Sequence, residues 1–419
     1  MSGTRTTSEQ NVQELKALWN SGTLINYEEP VLKFVAQLYE LTHQRDASKH
    51  GLGVTLAALF DLAVSAYYLE KIVSTGWFLC KNDSKEPSFV YPFVNACPSC
   101  TLSGAFHHLK AKKPESASIG QATSKILCAF LDRHVQSLRG SEVTLRVVGG
   151  NGIVDAIMLD KKHFTLFEIK SAPLVAFPLS SKGSILSDLD AYSGDRVELG
   201  NHSPITSSNS IDCNFIVDEK IRIPIGDSEN FESGHHYDLI LKWLKSGKNL
   251  ENYLASWALT FSGYANPDLR GSTYWLTNGC GSPTPRPADW PARSAGTGVE
   301  SISDGKSSVG LDRTDDVKKG IYQVLKIATT YKEPRPTDGH SVSAVLASNI
   351  HAVKHHEAYL SQLENLVWTL DGKDFSYVTK RNEKEVVIQT DGLHNLFDGL
   401  VTFTSPHLRT KYLAGIFEF

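Results

Sequence analysis

Between Ile153 and Ile169 the chain reads as two apolar strands separated by four polar residues, and this pattern constrains the fold more than any other stretch. Ile153 to Leu159 forms the first strand, with Asp155 near its start. Asp160-Lys161-Lys162-His163 makes a polar turn, and Phe164 to Ile169 returns as the second strand. Glu168 and Lys170 stand two apart, so their side chains leave one face of the sheet while Phe167 and Ile169 point to the other, towards the core. Paired as a hairpin, the strands bring Asp155 beside Glu168. Two carboxylates so placed offer oxygen ligands to a hard divalent cation such as Mg²⁺. Such a cation polarises a phosphate and activates a water, and Lys170 adds positive charge beside the attacking oxygen.

Asp155, Glu168 and Lys170, with twelve residues between the acids, resemble the motif of the PD-(D/E)XK nuclease superfamily, which includes most type II restriction endonucleases. Val154 stands where that motif has its proline. The resemblance implies an α/β fold: a mixed central sheet flanked by helices, with an N-terminal helical region and a long insertion. It also implies a Mg²⁺-dependent endodeoxyribonuclease that cuts double-stranded DNA at a specific sequence and leaves 5′-phosphate ends. Asp155 and Glu168 would hold the metal, the Ile169 carbonyl would add a ligand, and Lys170 would position the attacking water. A palindromic target implies a homodimer, and a restriction system implies a cognate DNA methyltransferase. The same residues also fit an ordinary amphipathic hairpin in which Glu168 and Lys170 form a surface pair.

The 419 residues suffice for two or three domains. Hydrophobic residues make up 41% and charged residues 21%, ordinary for a soluble protein. No apolar run is expected to reach the length of a membrane span, and the first residues lack a signal-peptide pattern. Six cysteines in so long a chain do not make a disulfide framework, which points to a reducing cytoplasm. The net charge of −4 argues against broad attraction to nucleic acid, but phosphate contacts need only a local basic surface.

Helical spacing runs through residues 8–80, with a longer apolar stretch from Val54 to Val73 expected as a buried helix. Phe89 to Val94 reads as an edge strand leading into Cys97-Pro98-Ser99-Cys100. A helix from about Ile119 to Leu138 precedes strands at 142–149, 152–160 and 163–171, the order in which a nuclease core of this superfamily begins. Two regions qualify as its next helix and strand. One is 237–262 followed by Tyr274–Thr277; the other, preferred, is Thr314 to Tyr331 followed by Ser341 to Asn349. Thr314 is a good N-cap there, with Asp315 and Asp316 in the first turn. The expected domains are an N-terminal helical region at 1–114, a catalytic core at 115–175 and 310–419, and an insertion at 176–309. The insertion is rich in Ser, Gly, Asn and Pro and is assigned to DNA recognition by resemblance.

Several smaller constellations remain. Cys97 and Cys100 have zinc-knuckle spacing, and Cys80 with His107 or His108 would complete a structural Zn²⁺ site. A reduced cysteine pair at a turn is the alternative. Lys318, Lys319 and Gln323, and Gln121 on the earlier helix, are candidates for contacting phosphate or supporting the metal. Glu115, Asp132 and Glu142 are candidates for an additional acid. His351 and His355 lie four apart beside His356 but lack the glutamate of a zinc-protease helix, and read as surface histidines. Gly149-Gly150-Asn151-Gly152 reads as a hairpin turn, since no GK[ST] or helix follows it. A structure-specific repair or defence nuclease of the same fold, and a non-catalytic zinc-containing nucleic-acid-binding protein, are the rival functions.

Overall fold

The structure is a computed structural model. It describes residues 8–44, 47, 49–71, 77–80, 88–90, 116–149, 153–175, 177, 179–181, 202–205, 212–218, 220–227, 233–269, 309–332, 339–363, 368–369 and 393–419. The protein is mixed α/β and divides into two compact units. The first comprises residues 1–26, 124–172 and 310–419, and the second 27–123 and 173–309.

The first unit is built on a seven-stranded mixed sheet. Its strands, in both chain and spatial order, are β1 (Thr23–Leu24), β2 (Leu145–Val147), β3 (Ala156–Asp160), β4 (His163–Ile169), β5 (Ser341–Ser348), β6 (Gly399–Thr402) and β7 (His407–Leu408). β1 to β4 run antiparallel to their neighbours, β4, β5 and β6 are parallel, and β7 turns back antiparallel. A parallel step needs a crossover, and the helix α3 (Thr314–Tyr331) lies between β4 and β5 in the chain. The unit also contains the helices α1 (Ser8–Ser21), α2 (Ser116–Arg139, within this unit from Ser124) and α4 (Lys411–Phe417).

The helix and strand preferred to follow β4 are therefore the ones observed, Thr314–Tyr331 and Ser341–Ser348. One detail differs. Arg313, in extended conformation, precedes the helix, and Thr314 is its first helical residue, with its hydroxyl 3.1 Å from His355 Nε2. Asp315 and Asp316 do occupy the first turn, where carboxylates suit the exposed N–H groups.

Residue parity along the strands sorts the core. Ile157, Leu166, Ala344 and Leu346 join Leu15 of α1 and Val317, Val324 and Ile327 of α3 in one buried cluster. On the opposite parity, Phe167 meets Phe417 of α4 edge to face at 5.9 Å. Both faces of β4 are thus covered, which its six consecutive buried residues require. The expectation that only the Phe167–Ile169 face turns to the core is corrected: the Glu168 face is buried as well.

In the second unit a six-stranded sheet runs Arg222–Asp227, Asp212–Ile216, Leu179–Ser181, Ser88–Val90, Trp77–Cys80, His202–Ile205, antiparallel throughout. Helices Pro30–Leu41, Leu52–Lys71, His235–Leu244 and Asn249–Ala265 belong to the same unit. Ser88–Val90 pairs on both sides, so it is an interior strand rather than the edge expected for Phe89 onwards. The helical reading of residues 8–80 likewise gives way to a strand at Trp77–Cys80. Leu52–Glu70 is long and apolar enough to span a membrane by length and composition, with mean hydropathy 1.6, contrary to expectation; 83% of its apolar window is buried inside the protein.

That helix carries one charged residue in its centre. Asp61 is fully buried, accepts the Leu174 and Val175 amides at 3.1 and 2.9 Å, and accepts the Trp257 indole N–H at 2.7 Å. Burial pushes its pKa up to about 8, against the pull of those three donors. The side chain fixes the chain at 174–175, just beyond the end of the first unit's segment at Ala172.

Candidate active site

The site begins with the register of β3 against β4. Ala156 pairs with Phe167 and Asp160 with His163, so a two-residue turn, Lys161-Lys162, closes the hairpin. Lys161 takes the left-handed conformation such turns require, with φ 56°. The ladder continues one step past the strand end, where the Asp155 N–H donates to the Phe167 carbonyl at 2.9 Å. Asp155 therefore stands opposite Glu168, as the hairpin pattern predicts.

Asp155 Oδ2 accepts the Ile169 N–H at 2.7 Å, which locks the carboxylate across the strand end. Glu168 is 5% exposed. Its carboxyl is pushed up from an ordinary 4.5 to about 7, first by burial and then by the Asp155 charge, with Lys170 pulling the other way. The Lys170 ammonium lies 2.5 Å from Glu168 Oε1 and 3.2 Å from the Ile169 carbonyl oxygen. A surface pair on an amphipathic hairpin does not describe this arrangement, because the acid is buried and only the lysine, 24% exposed, reaches solvent. Three oxygens converge here: Asp155, Glu168 and the Ile169 carbonyl.

Two neighbouring elements shape the surroundings. At the end of β5, Asn349 is fully buried; its Oδ1 lies 3.3 Å from both the Ala172 N–H and the Ser348 hydroxyl, holding the chain as it leaves Lys170. Gly310, at φ 46°, passes so close that a Cβ there would meet Ser348 Oγ at 2.7 Å and the Lys170 carbonyl at 3.4 Å. From α3, Gly320 presses on β4 and β5: a Cβ would meet Leu346 Cδ1 at 2.8 Å and Lys170 Cγ at 3.4 Å. One turn further on, Gln323 is half-buried, and its Oε1 is buried with no hydrogen-bond partner among the described residues. Of these, only Gln323 stood out in the sequence. Asn349, Gly310 and Gly320 are ordinary residues whose importance depends on what packs against them.

The remaining candidates scatter. Lys318 and Lys319 are exposed at the start of α3, and the Lys318 ammonium sits 5.3 Å from the Tyr359 ring centre. Gln121 is exposed on the part of α2 that belongs to the second unit. Asp132 is committed elsewhere: it is 2% exposed and accepts the Leu145 N–H at 2.7 Å and the Gln136 amide at 2.8 Å, tying α2 to β2. Glu142 is exposed at the turn after α2. Glu115, Cys97, Cys100, His107, His108 and Gly150–Gly152 lie outside the described residues, as do the side chain of Cys80 and the strand expected at Tyr274–Thr277.

The histidines expected on the surface are half-buried and engaged, and His351 and His355 do not share a helical face, since His351 precedes the turn in which His355 lies. His351 Nδ1 is 2.8 Å from Thr404 Oγ1, and His356 stacks on His407 at 4.6 Å. Asp312 Oδ1 accepts the Lys354 and His355 backbone N–H groups at 2.7 and 3.2 Å. Among the described residues no group of three or more His, Cys, Asp or Glu side chains is placed to hold a metal. The Asp155–Glu168 pair with a backbone carbonyl is a smaller donor set, suited to a cation that keeps several waters.

No protein-family model, curated protein or solved structure matches the chain.

Proposed function

We propose that this site is a Mg²⁺-dependent phosphodiesterase centre of the PD-(D/E)XK kind and that the protein is an endodeoxyribonuclease. The observation that carries the reading is geometric: Asp155 stands opposite Glu168 across the hairpin, and the Lys170 ammonium lies 2.5 Å from Glu168 Oε1. A buried Glu168 and a half-buried Asp155 that repel one another, with Lys170 beside them, are poised for a divalent cation. The donors fit: all three converging oxygens are hard, and the partnerless Gln323 oxygen lies on the helix that packs against Lys170. When bound, such a cation supplies Lewis-acid polarisation of a phosphate and lowers the pKa of a water.

The chain's own residues do the rest. Asp155, held by the Ile169 amide and in side-chain hydrogen-bond contact with Glu168, would offer a carboxylate oxygen to the cation. With a cation bound, Glu168 would serve as an ionised ligand, its proton passed to solvent, and the Lys170 ammonium would no longer be held at Glu168 Oε1. Lys170 then orients the attacking water and offsets negative charge developing on the phosphate. In-line attack at phosphorus leaves a 5′-phosphate and a 3′-hydroxyl. The parallel strands β4, β5 and β6 put their C-terminal ends, and the start of α3, at one edge of the sheet, where open α/β sheets bind ligands.

A type II restriction enzyme acting as a homodimer on a palindromic duplex is the first form of this proposal. The 176–309 segment would then read sequence, and a companion methyltransferase would protect the host. Incubation of the purified protein with unmethylated phage DNA and Mg²⁺ tests it, beside Lys170→Ala and a chelator control. Discrete fragments lost in both controls establish site-specific cutting. A Lys170-dependent smear keeps the nuclease and replaces restriction with structure-specific cutting, a reading favoured by the exposed face of α3 described next.

A further inference from the structure

We infer that the exposed face of α3 is a binding track for an unpaired DNA strand, with Tyr322 as a base-stacking platform beside the cleavage site. The inference rests on the nuclease reading of the Asp155–Glu168 pair and, of its two forms, selects the structure-specific one, acting on DNA with an unpaired segment such as a negatively supercoiled plasmid exposes.

Four observations on one helix carry it. Beyond the two carboxylates of its first turn, Asp315 and Asp316, the helix has three lysines and no further carboxylate from Val317 to Tyr331, although the protein as a whole carries a net charge of −4. Lys318, Lys319 and Lys326 are all exposed. Tyr322 is 65% exposed and is the one aromatic residue so exposed among the described residues. It stands four residues from both Lys318 and Lys326, spacings that place side chains side by side on a helix surface.

The track is continuous with the site. At 3.6 residues per turn, Gln323, Lys319, Lys326, Tyr322 and Lys318 follow one another around the helix over an arc of about 140°. The arc starts at Gln323, on the flank beside Gly320, whose position against Lys170 was described above. The opposite face, with Val317, Val324 and Ile327, is sunk in the core and fixes the orientation of the arc. From Lys318 to Lys326 the lysines span about 12 Å of helix axis, enough to meet successive phosphates of one strand.

The chemistry selects the occupant. Lysines at this spacing neutralise phosphates irrespective of sequence. A solvent-facing tyrosine between them has no partner in paired DNA, whose bases are already stacked, but offers a π-face to any unpaired base. An acidic peptide would use the lysines and leave the ring idle.

The test is fluorescence anisotropy of labelled dT₂₀ and of a blunt duplex of equal length, with the full chain in chelator so that no cutting occurs. Tyr322→Ala is expected to weaken dT₂₀ binding about tenfold, within the range for loss of one base–aromatic stack. Tyr322→Phe keeps the ring and should bind within about twofold of the parent protein on the same stacking argument. Lys319→Ala combined with Lys326→Ala should flatten the salt dependence by about 1.4, two phosphates at ~0.7 each for a single strand. Equal binding of dT₂₀ by Tyr322→Ala and the parent protein overturns the inference, as does duplex binding tighter than dT₂₀ binding. If the nuclease reading fails instead, Mg²⁺-dependent cutting is absent while the Tyr322-dependent binding persists.

Discussion

The Lys170 ammonium lies 2.5 Å from the Glu168 carboxylate two residues before it on the same strand, so the lysine occupies the position a cation would compete for. Replacing it has two separable consequences. Lys170→Ala is expected to lower DNA cleavage by about 10²–10³-fold, the usual cost of removing one group that stabilises developing charge. Mg²⁺ affinity should hold or rise, because the competing ammonium is gone. Single-turnover cleavage and calorimetric Mg²⁺ titration check the two halves independently.

Glu168 should make the apo protein's stability fall with pH. Folded Glu168 keeps its proton up to about pH 7, whereas the unfolded carboxyl loses it near 4.5. Between these values the folded state binds more protons, so stability declines as pH rises from about 4.5 to 7 and stays low above. A shift of this size corresponds to a loss on the order of 3 kcal/mol. In Glu168→Gln that decline should be reduced, and Mg²⁺ at pH 8 should raise the melting temperature of the parent protein but not of the variant. Thermal melts across pH 4–8, with and without Mg²⁺, read both effects.

Gly320 is the point where α3 comes down on Leu346 and the Lys170 stem. Gly320→Val forces the helix away from β4 and β5. The expected result is a destabilisation of about 1–3 kcal/mol, typical of overpacking. Cleavage should also fall in the fraction that still folds, since the lysine loses its support. Chemical denaturation beside cleavage by the folded protein separates the two.

Asp61 collects three buried donors in the second unit, from Leu174, Val175 and Trp257. Asp61→Ala leaves all three unpaired, at about 1–3 kcal/mol each before relaxation. The expected loss of several kcal/mol shows in urea denaturation, with a shifted Trp257 emission as a local signature.

The hairpin was readable because everything it needs is local. Alternation, a polar break and the two-residue separation of Glu168 from Lys170 determine register without reference to distant parts of the chain. The choice of Thr314–Tyr331 and Ser341–Ser348 as the next helix and strand was also readable, because the first-turn acids and the apolar stripe of Val317, Val324 and Ile327 agree.

Whether a strand lies at an edge was not readable. Ser88–Val90 is interior because Leu179–Ser181, about ninety residues later in the chain, pairs with it. Nothing near Phe89 encodes that partner. The burial of Glu168 was hidden for a related reason: it depends on α3 covering a face that alternation alone assigns to solvent. Asn349 and Gly310 gave no sequence signal, since an asparagine after a strand and a glycine before a helix occur in many loops. Their roles come from proximity to Ser348, Ala172 and Lys170.

Relaxation of a supercoiled plasmid in Mg²⁺ by the parent protein, Asp155→Asn, Glu168→Gln and Lys170→Ala, compared side by side, tests the central claim most directly. The account predicts nicking or linearisation by the parent protein, abolished by chelator and reduced about 10²-fold or more in each variant, the scale expected for groups acting at a transition state. An intact plasmid with the parent protein in Mg²⁺ or Mn²⁺, or variants that cut as fast as the parent, would contradict it.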